Sequence, residues 1–186
     1  NIASENVMIF AGGRPGIFTV MAFLKKHIKV RIGNIEWPAY LDIMTQTNSD
    51  YETVPFTKEN NFHPDNEEYF GRNNLDDETA ILSIISNPQN PSGQTRSGEE
   101  LRELIEIAEI VRQNKNINIL SDEIYECILE KGFRHYSLAS IASDIKNRIF
   151  TINGFAKGWA MTGWRVGYLA GREDVIKASS SLQSQS

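Results

Sequence analysis

Short apolar runs of β-strand character alternate with helix-patterned segments along almost the whole chain, and the polar or glycine-rich clusters that interrupt them each stand directly after a strand-like run. That alternation points to an α/β layer architecture, with helices packed on an open, mostly parallel sheet. Strands are expected at Val7–Ala11, Ile28–Ile32, Tyr51–Phe56, Ala80–Ser86, Ile117–Ser121, Arg148–Ile152 and Val166–Ala170. Helices are expected at Pro15–His27, Pro38–Thr47, Gly98–Asn114 and Glu173–Leu182. The third helix has Leu101, Leu104, Ile105, Ala108 and Val111 at helical spacing. Thr57–Glu78 is polar throughout and reads as loop or short helix. The interrupting clusters are Gly12-Gly13-Arg14, Asn87–Gly93, Asp122–Tyr125 and Gly154–Arg165. In a parallel sheet such positions converge on one edge, where ligands bind.

Composition narrows the partners. A chain of 186 residues is one domain with a sizeable core. Its net charge of −5, with no block of five or more like charges, argues against nucleic acid, whose phosphates call for clustered Lys and Arg. No apolar run approaches the roughly 20 residues that span a bilayer, and no leader pattern opens the chain, so a cytoplasmic protein is expected. Cys127 stands alone, which excludes an internal disulfide, and His27, His63 and His135 show no metal-ligand spacing, so no metal is expected. Glu36, Cys127, Trp159 and the histidines are assigned structural roles, Cys127 as a small buried apolar group. The missing initiator Met and an end inside a helical pattern suggest a piece of a longer protein.

The clusters themselves carry chemistry. Asn87-Pro88-Gln89-Asn90-Pro91-Ser92-Gly93 is a rigid loop, and a doubled Asn-Pro followed by Ser-Gly is uncommon as a plain turn. Asp122 ends an apolar strand, where it either caps the next turn or pairs with a cation such as a protonated ring nitrogen. Lys157 follows apolar residues, which predicts a partly desolvated amine of the kind that forms imines with carbonyls, and Arg165 offers a planar fork for phosphate. Both are equally at home as ordinary residues of a Gly-rich hairpin. Gly12-Gly13-Arg14 between a strand and a helix can form an anion nest, although it matches neither the Walker nor the dinucleotide pattern. Trp37, just before a helix, packs in the core or stacks on a flat ring. Together with the Tyr125 hydroxyl, these groups match the needs of pyridoxal phosphate.

The ordered set NPQNPSG, SDEIYE and FAKGWAMTGWRVGY resembles the class I/II pyridoxal-phosphate aminotransferases of fold type I, close to the aspartate aminotransferase branch, over nearly the whole chain. The resemblance implies a three-layer α/β/α fold with a mostly parallel mixed sheet, residues 1–186 forming the cofactor-binding large domain. It implies Lys157 as the lysine that joins the cofactor and then moves protons, Asp122 on the pyridine nitrogen, Tyr125 and Asn90 at the phenolic oxygen, and Trp37 stacked on the ring. Gly12, Gly13, Arg14 and Arg165 would form the phosphate cup. Amino acids and 2-oxo acids are the implied substrates, aspartate first, and a homodimer is implied for the full-length protein. Three departures stand out: Ala156 and Gly154 replace serines that many relatives carry near the lysine, Ile35 replaces a frequent proline, and the family's N-terminal segment and C-terminal small domain are missing. Other fold-type-I chemistry, by elimination, lyase or cyclase routes, shares these motifs. So does an aminotransferase-like effector domain of a transcription regulator.

Overall fold

The computed structural model describes residues 2–24, 28–71, 79–96 and 101–184. Seven strands form one sheet: β1 (Val7–Phe10), β2 (Ile28–Gly33), β3 (Asp50–Val54), β4 (Ala80–Ser86), β5 (Ile117–Asp122), β6 (Ile149–Gly154) and β7 (Gly167–Ala170), in the order β1-β7-β6-β5-β4-β2-β3. β7 runs antiparallel to both its neighbours and all other pairings are parallel. Six helices cover it: α1 (Gly13–Leu24), α2 (Ala39–Thr47), α3 (Asn66–Phe70), α4 (Leu101–Gln113), α5 (Leu138–Ile141) and α6 (Glu173–Gln183).

The central strands are apolar without alternation because both faces are covered. Leu82, Ile84, Leu120, Phe150 and Ile152 pack with Ile17, Val20 and Met21 of α1, Ile43 and Met44 of α2, and Val175 and Ile176 of α6. From the other face Ile81, Ile85, Ile119 and Ile149 pack with Tyr69 and Phe70 of α3, Leu104, Ile107, Ala108 and Val111 of α4, and Leu138 of α5. The three-layer α/β/α arrangement follows.

Most expected elements appear within a residue or two, and the ends Lys25–His27 and Gly98–Glu100 lie outside the described residues. Ile105, expected on the inner face of α4, is instead 42% exposed, while Ile107 is buried. The inward stripe is the 104, 107, 108, 111 set, one turn-step away from Ile105. Within the polar 57–78 stretch, α3 forms where Asp65 Oδ1 accepts the Glu68 N–H at 2.9 Å as an N-cap. Residues 72–78 lie outside the described residues.

One buried cation joins two edge elements. Arg31 of β2 is 2% exposed, donates Nε–H to Glu52 Oε1 at 2.7 Å, and donates from Nη1 to the carbonyls of Tyr69 and Gly71 at 3.0 and 2.6 Å. It fastens β3 and the end of α3 to the sheet. Among the described residues no helix is long and apolar enough to cross a membrane.

Candidate functional site

The carboxyl ends of β1, β4, β5 and β6 open on one cleft of about 350 Å³. Its walls include Gly12, Gly13, Arg14, Trp37, Asn90, Asp122, Tyr125, Lys157 and Arg165, so all nine residues assigned to the cofactor site from the sequence meet at one place.

At the base lies Asp122, the last residue of β5 and 5% exposed. Tyr40 donates its O–H to Asp122 Oδ2 at 2.7 Å, and the Ile124 N–H donates to Oδ1 at 3.2 Å. Burial pushes the Asp122 carboxyl above the usual range, against the pull of those two donors, and the neighbouring Glu123 adds to the rise. Tyr40 is itself fully buried and its hydroxyl is held well above its ordinary pKa, by burial and by the carboxylate beside it. The phenol therefore stays a donor. Trp37 meets the Tyr40 ring edge-on, with centroids 5.3 Å apart, which fixes the indole on the cleft wall.

Also lining the cleft, Asn90 Nδ2 lies 3.4 Å from the Tyr125 hydroxyl, so two hydrogen-bonding groups from separate loops reach the same spot. The Asn90 loop is held by paired bonds across its neck: Arg96 N–H donates to Asn87 Oδ1 at 2.9 Å, and Gln89 N–H donates to the Gln94 carbonyl at 2.7 Å. Lys157 extends from the loop after β6, with Nζ 5.8 Å from the Tyr125 ring centroid. It is exposed rather than desolvated, because β6 ends at Gly154 and the lysine stands on the open side of the loop.

The cationic end is built on close backbone contact. A Cβ on Gly167 would fall 2.6 Å from the Gly12 carbonyl carbon, so a side chain there would force β7 off the β1–α1 turn. Gly12 has φ +93°, and a Cβ there would lie 2.6 Å from Arg165 Nη2. The Arg165 guanidinium thus rests directly over the turn, near the Ala11 carbonyl at 3.5 Å. Pro15 sits in the first turn of α1, where its missing N–H leaves no bond unmade. Gly13 and Arg14 of that turn line the cleft together with Arg165. Arg14 is shared, since its Nη2 also lies 3.4 Å from Asp42 of α2.

Several assignments change in three dimensions. Tyr40 carried no signal beyond helical apolar spacing, yet it is the direct partner of Asp122. Glu36, assigned a structural role, turns its carboxyl inward beside the cleft. Cys127 is exposed, not buried, because it lies in the irregular segment after β5, with its Cβ close to the Gly158 backbone. His135 joins Glu123 and Glu126 with their ligand atoms within 4.8 Å of one another, outside the cleft. The oxygens of Glu123 already accept from Ser121 at 2.8 Å and Ser137 at 3.1 Å and lie 3.2 Å from His135, which makes this cluster a bracket between β5 and the α5 loop.

Comparison with known proteins gives a consistent result. The family described as "Aminotransferase class I and II" matches residues 1–186. The probable aspartate/prephenate aminotransferase of Rickettsia prowazekii (strain Madrid E) is 40% identical over 183 residues, covering 98% of this chain and 44% of its own. The aspartate aminotransferase of Bacillus subtilis (strain 168) is 32% identical over 183 residues, again 98% of this chain and 45% of its own. Among solved structures, Thermus thermophilus aspartate aminotransferase with maleate superposes with a TM-score of 0.83 at 31% identity, over 98% of this chain and 45% of that one. The chain spans less than half the length of these relatives.

Proposed function

This chain belongs to the class I and II aminotransferases, and on that premise we propose that residues 1–186 are the large domain of a pyridoxal-phosphate-dependent enzyme that moves an amino group between an amino acid, aspartate first, and a 2-oxo acid. The observation that carries this is the cleft itself: an amine, a buried carboxylate with its own donor, a paired amide and phenol, an indole and a guanidinium over a glycine turn, all within one space of about 350 Å³.

The donor set fits the cofactor chemically. Arg165, the first-turn N–H groups of α1 and the glycine turn that no side chain can fill suit a phosphate. Asp122 suits a protonated ring nitrogen, and Tyr40 with the Ile124 N–H keeps its negative charge available in a buried setting. Asn90 Nδ2 donates to the Tyr125 hydroxyl, and the pair would suit a phenolic oxygen. Trp37, braced by Tyr40, presents a flat face for the ring.

When bound, the cofactor supplies an electron sink for the substrate's α-carbon bonds. The protein's share is positional and acid–base. Asp122 would hold the ring-nitrogen proton, Asn90 and Tyr125 would orient the ring, and Arg165 would anchor the phosphate. Lys157 Nζ would tether the cofactor until the incoming amino group displaced it, and the freed amine would then serve as base and acid for the proton at the substrate α-carbon. An exposed amine on an open loop suits both tasks, because it must leave one bond and reach another. Homodimer formation and the choice of side chain belong to the same proposal for the full-length protein.

Titration of the purified chain with pyridoxal phosphate, followed by near-visible absorption beside Lys157→Ala, tests the assignment. The expected result is a saturable band that survives dialysis and is absent from the variant. The absence of a band both in this chain and in the full-length protein refutes it. On the full-length protein, amine transfer that depends on a keto acid supports transamination, whereas release of pyruvate and ammonia assigns elimination instead.

A further inference from the structure

Glu36 lies in the turn between β2 and α2, directly before Trp37, and nothing in the chemistry above uses it. Its carboxyl is nevertheless inside the protein. Oε1 accepts from Gln89 Nε2 at 3.2 Å, and Oε2 is buried with no hydrogen-bond partner among the described residues. Gln89 is a hub of the Asn90 loop. Its side-chain amide also donates to the Ile35 carbonyl at 3.1 Å, its Oε1 takes the Ser92 hydroxyl, and its backbone bonds Gln94 and Gly93 at 2.7 and 2.9 Å. The Glu36–Gln89 contact thus connects the turn that carries Trp37 with the loop that carries Asn90, two adjoining segments that each line the cleft.

The charges around Glu36 decide its form. Asp122 at the end of β5 is the neighbouring acid, and the Tyr40 and Tyr69 hydroxyls of α2 and α3 both sense Glu36. Arg96 is the cation on this side, but it is itself buried and lies 3.2 Å from Glu103 of α4, which also contacts His63 at 3.0 Å. Two carboxylates and one already-paired guanidinium in a desolvated region cannot all stay charged at low cost. An orphaned oxygen on a charged carboxylate would make that cost larger.

We propose that Glu36 is a positioning residue of the cleft, tying the Trp37 turn to the Asn90 loop through Gln89 as a neutral carboxylic acid and leaving the negative charge at the strand ends to Asp122. Burial pushes Glu36 up to about 8, Gln89 and Arg96 pull it down, and Asp122 adds to the rise. The group therefore ionises in the mildly alkaline range and there places a second negative charge beside Asp122. Part of this inference, the consequence for the cofactor, rests on the cleft being the pyridoxal-phosphate site.

The deciding experiment is a pH titration of the side-chain carboxyl carbons in chain labelled with ¹³C-glutamate and free of cofactor, with Glu36→Gln to identify the resonance. A midpoint near 8 that vanishes in the variant is expected; a midpoint below about 6, closer to the ordinary glutamate range, overturns the proposal. Pyridoxal phosphate affinity at pH 7 supplies a second readout. Glu36→Gln is expected to bind like the parent, since the amide keeps the acceptor and the neutrality, whereas Glu36→Ala loses about tenfold, the worth of one buried hydrogen bond. Equal weakening in both variants would mean that the charge is what matters, and overturns it. If no form of the protein takes up the cofactor, the cofactor reading falls, while the carboxyl titration still decides the state of Glu36.

Discussion

Replacing Tyr40 by Phe removes one oxygen from a fully buried ring and leaves Asp122 Oδ2 without its donor at 2.7 Å. The ring keeps its packing against Trp37, so the change is confined to the hydrogen bond. A buried hydrogen bond to a charged group contributes about 1.5–3 kcal/mol. For a chain of this size that corresponds to a fall in Tm of roughly 3–12 °C. The loss should depend on pH. The Asp122 pKa is already raised by burial, and the Tyr40 hydroxyl opposes that rise, so Tyr40→Phe raises it further. A carboxyl whose folded pKa is raised loses stability as pH climbs from the unfolded value through the folded one. The gap between variant and parent therefore opens with increasing pH and closes in acid, where Asp122 is protonated in both. Urea unfolding at pH 4 and pH 8, with Asp122→Asn and the double variant completing a cycle, measures it. A loss at pH 8 below about 0.5 kcal/mol, or additivity of the two substitutions within that margin, would refute the reasoning.

Gly12→Ala should strain the turn by about 1–3 kcal/mol and push the Arg165 guanidinium off it. Thermal unfolding is expected to fall modestly while pyridoxal phosphate affinity falls by an order of magnitude or more; unchanged affinity would remove Arg165 from the phosphate cup. Arg31→Met leaves two buried carbonyls and Glu52 without their cation, an expected loss of about 3–5 kcal/mol in chemical unfolding. Burial acts to raise the Glu52 carboxyl, but Arg31 and Lys29 outweigh it and hold the carboxyl below its ordinary value. Glu52 thus contributes stability above that value and loses it as pH falls, and the variant should show less acid sensitivity over that range.

Much of the molecule was legible in the chain because the information is local. Near-continuous apolar runs such as Ile81–Ile85, interrupted only by Ser83, call for cover on both faces, which points to parallel strands under two helix layers. Polar clusters placed directly after such strands gather at one sheet edge, so the chain order alone groups Asn90, Asp122, Lys157 and Arg165. Other features depend on contacts between residues distant in sequence. Nothing in a helix reading Ala-Tyr-Leu-Asp-Ile distinguishes a core tyrosine from the partner of a carboxylate 82 positions later. Glu36 reads as one more charge in a turn until the Asn90 loop folds over it and strips its water. Ile105 and Ile107 are equally apolar, and only the direction in which α4 meets the sheet decides which is buried. The reversed direction of β7 likewise depends on the Gly154–Val166 loop closing on the β1 turn, where Gly12 and Gly167 touch. The sequence by itself determined which elements form and which groups share an edge, since periodicity and turn chemistry act over a few residues. Only the tertiary structure decided which groups lost their solvent and what replaced it, because desolvation is a property of the packed whole.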